Sequence, residues 1–105
     1  MQPNRAELDE RVQALEAWAS EELEHPVHAE PVATDAGFRR YFRFRTPARR
    51  VIAMDAPPER EGTAAFLRVA ELLRDAGVHV PDILARDTER GFLLLTDLGE
   101  RTWLQ

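Results

Sequence analysis

At 105 residues the chain can bury one modest core, reads as a single domain over 1–105, and excludes a complete two-lobed enzyme. Hydrophobic residues at 44% and charged residues at 31% exclude a disordered composition, and a net charge of −5 opposes non-specific attraction to nucleic acid or an anionic membrane. The absence of cysteine removes disulfides, zinc–thiolate sites and a cysteine nucleophile, and the absence of lysine among the fourteen basic residues removes a P-loop lysine or a Schiff base.

Along the chain, Asn4 and Glu7 have capping-box spacing, and Leu8, Val12, Leu15, Ala19 and Leu23 recur with helical period, which predicts a helix from about Arg5 to Glu24 ended by Pro26. Its opposite face, with Glu10, Arg11, Glu16, Glu21 and Glu22, reads as solvated. Val27 to Ala33 is extended, and Pro31 suits an edge strand. Phe42-Arg43-Phe44-Arg45 alternates apolar and cationic, as in a strand with one buried face, so Phe38, Phe42 and Phe44 share the core side of a strand from Phe38 to Arg45. Thr46 to Arg49 is a turn, and Val51 to Met54 is the continuous apolar run of a strand covered on both faces, within Arg50 to Asp55. Phe66, Val69, Ala70 and Leu73 mark a helix over Glu61 to Ala76, with Gly77 as its C-terminal cap. Pro81 to Ala85 and Gly91 to Thr96 are two further strands around the turn Arg86 to Arg90. The expected fold is α+β: a mostly antiparallel sheet of five strands, the second helix packed across one face, and an N-terminal helix.

No apolar leader stands at MQPNRAELDERV, and no run approaches the roughly 18 apolar residues of a spanning helix, so a cytoplasmic protein without membrane contact is expected. His25 and His28 flank Pro26, which breaks the geometry a helical metal pair needs, and no metal site is expected. The six arginines between Arg39 and Arg50 read as a solvated hairpin face. Their alternative is a phosphate- or nucleic-acid-binding hairpin with Tyr41 and Phe42 interleaved. Trp18 and Trp103 read as packing residues.

The order of elements, with the words DAGFRRYFRF, AMDAPPERE, GVHVPDIL and GFLLLTDLGERTWL, resembles the protein-kinase-like N-terminal lobe of aminoglycoside phosphotransferase-like kinases. Within that family the words are most similar to the bacterial anomeric kinases of N-acetylmuramate and N-acetylglucosamine in cell-wall recycling. The resemblance covers about Val32 to Leu104 and implies an ATP-dependent sugar kinase that uses Mg²⁺. It places Asp35, Ala36, Gly37, Phe38 and Arg39 in the loop over the ATP phosphates, where backbone N–H groups can cradle oxygens. Ile52, Met54 and Leu95 become walls for adenine, and Thr96, Asp97 and Leu98 the hinge whose backbone pairs with its edge. Met54 stands where most such kinases carry a phosphate-holding lysine, so neutralisation would fall to metal ions, loop N–H groups, Arg39 or Arg40. The family keeps its acceptor-orienting aspartate and metal ligands in a C-terminal lobe, so neither catalytic nor metal-ligating residues are expected in 1–105, and the chain alone should be inactive. A nucleotide- or protein-binding module without catalysis is the alternative from another class.

Overall fold

The computed structural model describes residues 5–34, 39–58 and 63–97. Its elements run α1 (Arg5–Leu23), β1 (Glu30–Thr34), β2 (Arg40–Arg45), β3 (Arg50–Asp55), α2 (Ala64–Asp75), β4 (Ile83–Asp87) and β5 (Phe92–Thr96). All pairings are antiparallel and the strand order is β1-β2-β3-β5-β4. β3 and β5 are therefore central, which is why their sequences are the most continuously apolar in the chain. β1 carries Pro31 at one edge, as the missing N–H requires, and each edge strand has an irregularity in register, at Pro31/Ala33 and at Ile83/Ala85.

The period-two alternation divides the central strands between two cores. Phe42, Phe44, Val51, Ala53, Phe92 and Leu94 face α1 and meet Leu15, Trp18 and Ala19. Tyr41, Ile52, Met54, Leu93 and Leu95 face the other way and meet Phe66 and Ala70 of α2. The expectation that Val51 to Met54 is covered on both sides holds, and the cover is one helix on each face. Trp18 packs as expected, its ring 5.7 Å from that of Phe92.

α1 ends at Leu23, ahead of Pro26, because Glu24 adopts a left-handed φ of 55°. Its outer face is less solvated than the sequence implies: Glu16 accepts the N–H of Ala29 at 2.7 Å, and Arg11 turns inward to Asp55. Asn4 lies outside the described residues, and so does Phe38.

α2 is described from Ala64, preceded by a buried Thr63, and residues 59–62 of the expected helix lie outside the described residues. Gly77, at φ 84°, closes it as expected, its N–H donating to Arg74 O at 3.0 Å while that of Val78 donates to Leu73 O at 2.9 Å. Only Phe66 and Ala70 of the apolar stripe are buried, whereas Val69 and Leu73 stay exposed.

β4 starts two residues later than Pro81 and runs to Asp87. Pro81 has no N–H to give to a ladder, and pairing begins once Asp82 is fixed to the end of β5. Gly91 belongs to the turn rather than to β5: at φ 83° its N–H donates to Asp87 O at 2.9 Å. The Ala56 N–H donates to Gly91 O at 2.7 Å, and a Cβ on Gly91 would lie 1.8 Å from Ala56 O.

Candidate functional site

The candidate surface is the α2 side of the sheet, bounded by two ends. At one end β1 and β2 pair through Thr34 and Arg40, so the connection holding the candidate loop joins them there. At the other, β5 leaves the sheet at Thr96 and Asp97. Arg40 is level with Asp55, and Val51 with Thr96, so the ends are four β3 residues apart, about 13 Å at strand rise. The strand ends that flank residues 35–38 and the exit of β5 thus stand at opposite ends of one strip.

Ile52, Met54 and Leu95 lie together on that strip. Ile52 pairs directly with Leu95, and Met54 with Leu93 one step nearer the loop. All three are buried within the core under α2. They form a continuous apolar surface, and in this chain by itself it is closed. Met54 supplies no charge there.

The hinge candidates divide by function. The Thr96 N–H donates to Asp82 O at 3.0 Å and its Oγ1 accepts the Asp82 N–H at 2.9 Å, so its donor is occupied by the sheet end. Asp97 is held by its side chain: the buried carboxylate accepts Arg43 Nε at 2.8 Å, and Arg50 Nε lies 3.8 Å away. This carboxylate clamp, which the sequence reading missed, fixes where the chain leaves β5. Asp35, Ala36, Gly37, Phe38 and Leu98 lie outside the described residues, and Arg39 is half-buried.

Arg40 does not face the strip. It turns to the α1 side and grips the fully buried Asp55, with Nε 3.0 Å from Oδ2. Arg11 binds the other carboxylate oxygen at 2.8 Å and also donates to Arg90 O at 2.7 Å. Both arginines lie over aromatic rings, Arg11 at 5.1 Å from Phe92 and Arg40 at 5.5 Å from Phe42. Arg40 is therefore a structural cation, which removes it from the phosphate-neutralising candidates. Arg45 pairs with Glu30 at 2.7 Å, so Arg40, Arg43, Arg45 and Arg50 all have carboxylate partners. Of the expected solvated hairpin face, Arg45, Arg49 and Arg50 are exposed, whereas Arg40 and Arg43 turn inward to buried carboxylates.

Among the described residues no cluster of three His, Cys, Asp or Glu is placed to hold a metal ion, and no helix is long and apolar enough to cross a membrane.

Two helices enclosing an antiparallel five-stranded sheet, with a charged exit from its central strand, define a kinase-like N-terminal lobe. The chain belongs to the phosphotransferase enzyme family APH, whose family model matches residues 28–105. It is 46% identical over 107 residues to an N-acetylmuramate/N-acetylglucosamine kinase of Pseudomonas aeruginosa, covering 91% of this chain and 32% of the relative. A Pseudomonas putida protein of the same name is 44% identical over 109 residues, covering 93% and 32%, and one from Neisseria meningitidis serogroup B is 45% identical over 73 residues, covering 69% and 21%. The chain spans about a third of the length of the two Pseudomonas relatives. No solved structure gives a significant match.

Proposed function

We propose that residues 1–105 are the nucleotide-holding lobe of an ATP-dependent sugar kinase that phosphorylates the anomeric hydroxyl of N-acetylmuramate or N-acetylglucosamine. The observation that carries this reading is the 46% identity to a kinase of that name across 91% of the chain. The geometry supports it in one respect: an apolar strip with a fixed chain exit at one end and the β1–β2 connection at the other suits an elongated ligand with an apolar base and an anionic tail.

In this reading Ile52 and Leu95 are the wall for adenine, the backbone of Asp97 and Leu98 pairs with its edge, and residues 35–39 meet the phosphates. Opening of the strip beside α2 accompanies nucleotide entry, because the wall is closed in this chain. Met54 offers no cation and Arg40 is committed to Asp55, so neutralisation falls to the loop N–H groups, to Arg39 and to Mg²⁺ when bound. Its ligands and the aspartate that orients the sugar hydroxyl belong to the remainder of the longer polypeptide. Recycling of cell-wall amino sugars in the cytoplasm goes with this function.

The test is phosphate transfer from ATP with Mg²⁺ to each amino sugar. Residues 1–105 alone should give none, and the same residues joined to the remaining two-thirds of a relative should give product. Turnover by the 105-residue chain above a no-protein control, or an inert complete polypeptide, would overturn the assignment.

A further inference from the structure

The amphipathic stripe of α2 is only half used. Phe66 and Ala70 reach the sheet, but Val69 is 53% exposed, Leu72 66%, Leu73 36%, and Val78, just past the helix, 48%. These four are contiguous, since Val69, Leu72 and Leu73 follow helical spacing and Val78 is tied to Leu73 through its N–H. Beside them runs an apolar groove, lined by Phe66, Val69, Ala70, Leu73, Val80 and Pro81. Charge appears at its rim, where Arg74 lies 3.6 Å from Asp82 and donates to Pro81 O at 3.1 Å. Scattered single apolar residues on a surface need no explanation, but a contiguous set opening onto an apolar groove marks a contact surface.

We propose that this face of α2, from Val69 through Leu72 and Leu73 to Val78, is an interdomain docking surface covered by the polypeptide that follows this lobe in the longer phosphotransferase chain. The inference rests on reading residues 1–105 as one lobe of such a chain. Two observations select this occupant. In each Pseudomonas relative the match spans only 32% of the length, so about twice the matched length is there to supply a neighbour for such a lobe. The exit of β5 also lies at the groove: Thr96 is bonded both ways to Asp82, the neighbour of Pro81, so the polypeptide leaves the sheet one residue from the groove floor. The C-terminal end of α2 is at that same end of the sheet, because residues 76–82 link it to the start of β4.

The experiment compares Val69→Ser and Leu72→Ser in two proteins: the 105-residue chain, and that chain joined to the remaining two-thirds of the Pseudomonas aeruginosa relative. Val32→Ser, exposed on the far edge strand, is the control. In the 105-residue chain both α2 variants should lower Tm by no more than about 2–3 °C, because each residue is already more than half exposed and serine costs only a little helix propensity. In the longer protein each should lower Tm by about 4 °C or more while Val32→Ser does not. Equal effects in the two proteins overturn the proposal, and so does a longer protein in which the lobe unfolds as if alone. A concentration-dependent dimer of the 105-residue chain that Leu72→Ser dissociates, with an insensitive longer protein, overturns it in favour of a second copy. Sugar phosphorylation measured alongside separates the two readings: activity without the Tm contrast removes only the docking surface, and the contrast without activity removes only the sugar-kinase function.

Discussion

Replacing Asp55 with alanine should be among the most damaging single changes in this chain. The carboxylate is fully buried and binds Arg11 from α1 and Arg40 from β2. Deleting one partner of a buried ion pair typically costs about 3–5 kcal/mol, because the remaining charges stay desolvated. The side chains of Arg11 and Arg40 are 26% and 19% exposed, and Arg11 keeps the Arg90 carbonyl, so both recover part of their hydration. The expected loss is therefore at the lower end, about 3 kcal/mol, equivalent to a fall in Tm of about 12 °C or more for a domain of this size. Urea denaturation followed by far-UV circular dichroism measures it. The cause is separable: Asp55→Leu combined with Arg11→Met and Arg40→Met removes the charges together and should recover most of the loss, because an apolar replacement of a whole buried cluster is often neutral or stabilising. A cost below about 1 kcal/mol for Asp55→Ala at unchanged m-value, or a triple variant no better than the single one, would refute the orphaned-charge account.

Three further outcomes follow. Gly91→Ala should cost at least about 2 kcal/mol, since its φ is positive and the new Cβ would strike Ala56 O, whereas Gly77→Ala, with open space around it, should cost about 1 kcal/mol; equal costs by urea titration would contradict the close approach. The Arg90 side chain, hydrogen-bonded to Asp87 and outweighing partial desolvation, holds that carboxyl below its ordinary 3.8. The folded value being the lower one, the pair contributes stability that is complete above 3.8 and fades as pH falls through the folded value; a carboxyl NMR titration should find a midpoint under 3.8 that Arg90→Ala raises, and a midpoint at or above 3.8 in the parent would contradict it. ATP with Mg²⁺ should bind the 105-residue chain with a Kd of roughly 1 mM, about 4 kcal/mol, shifting amides of Gly37, Phe38, Asp97 and Leu98 first; shifts centred on Arg43, Arg45 and Arg49 that any polyanion reproduces would favour a basic-hairpin reading instead.

The sheet was legible wherever a local pattern decides burial. Phe42 and Phe44 announce the face of β2 that packs on α1, and Val51 to Met54 announces two dry faces, because side-chain period in a strand is fixed by the backbone; the drawing of Arg43 inward to Asp97 was not announced. The Arg11–Asp55–Arg40 cluster was not legible, since its members meet only after α1 crosses the sheet, and Arg11 sits on a helix face that reads as solvated. A signal existed in Asp55 itself, a carboxylate closing an apolar strand with no water-facing position to occupy. The stripe of α2 shows where its apolar atoms lie but not how far its neighbour extends, so Val69 and Leu73 read as core. Of the candidate site, strand alternation places Ile52 and Met54 on one face, while their meeting with Leu95 needs the β3–β5 register. Their link to a nucleotide comes through family resemblance alone, because main-chain recognition leaves no side-chain pattern to read.

The placement of β5 between β3 and β4 has a consequence for the newborn chain. During synthesis β4 emerges before its neighbour β5, and β3 emerges with one side unpaired, so neither can be completed until Phe92 to Thr96 has cleared the ribosome. α1, made first, meets Phe92 and Leu94 only at that moment. Until then the apolar strip from Val51 to Met54 is open to any other strand nearby. A ribosome stalled ahead of residue 96 should therefore hold a chain that recruits chaperones, and one stalled well beyond it should not.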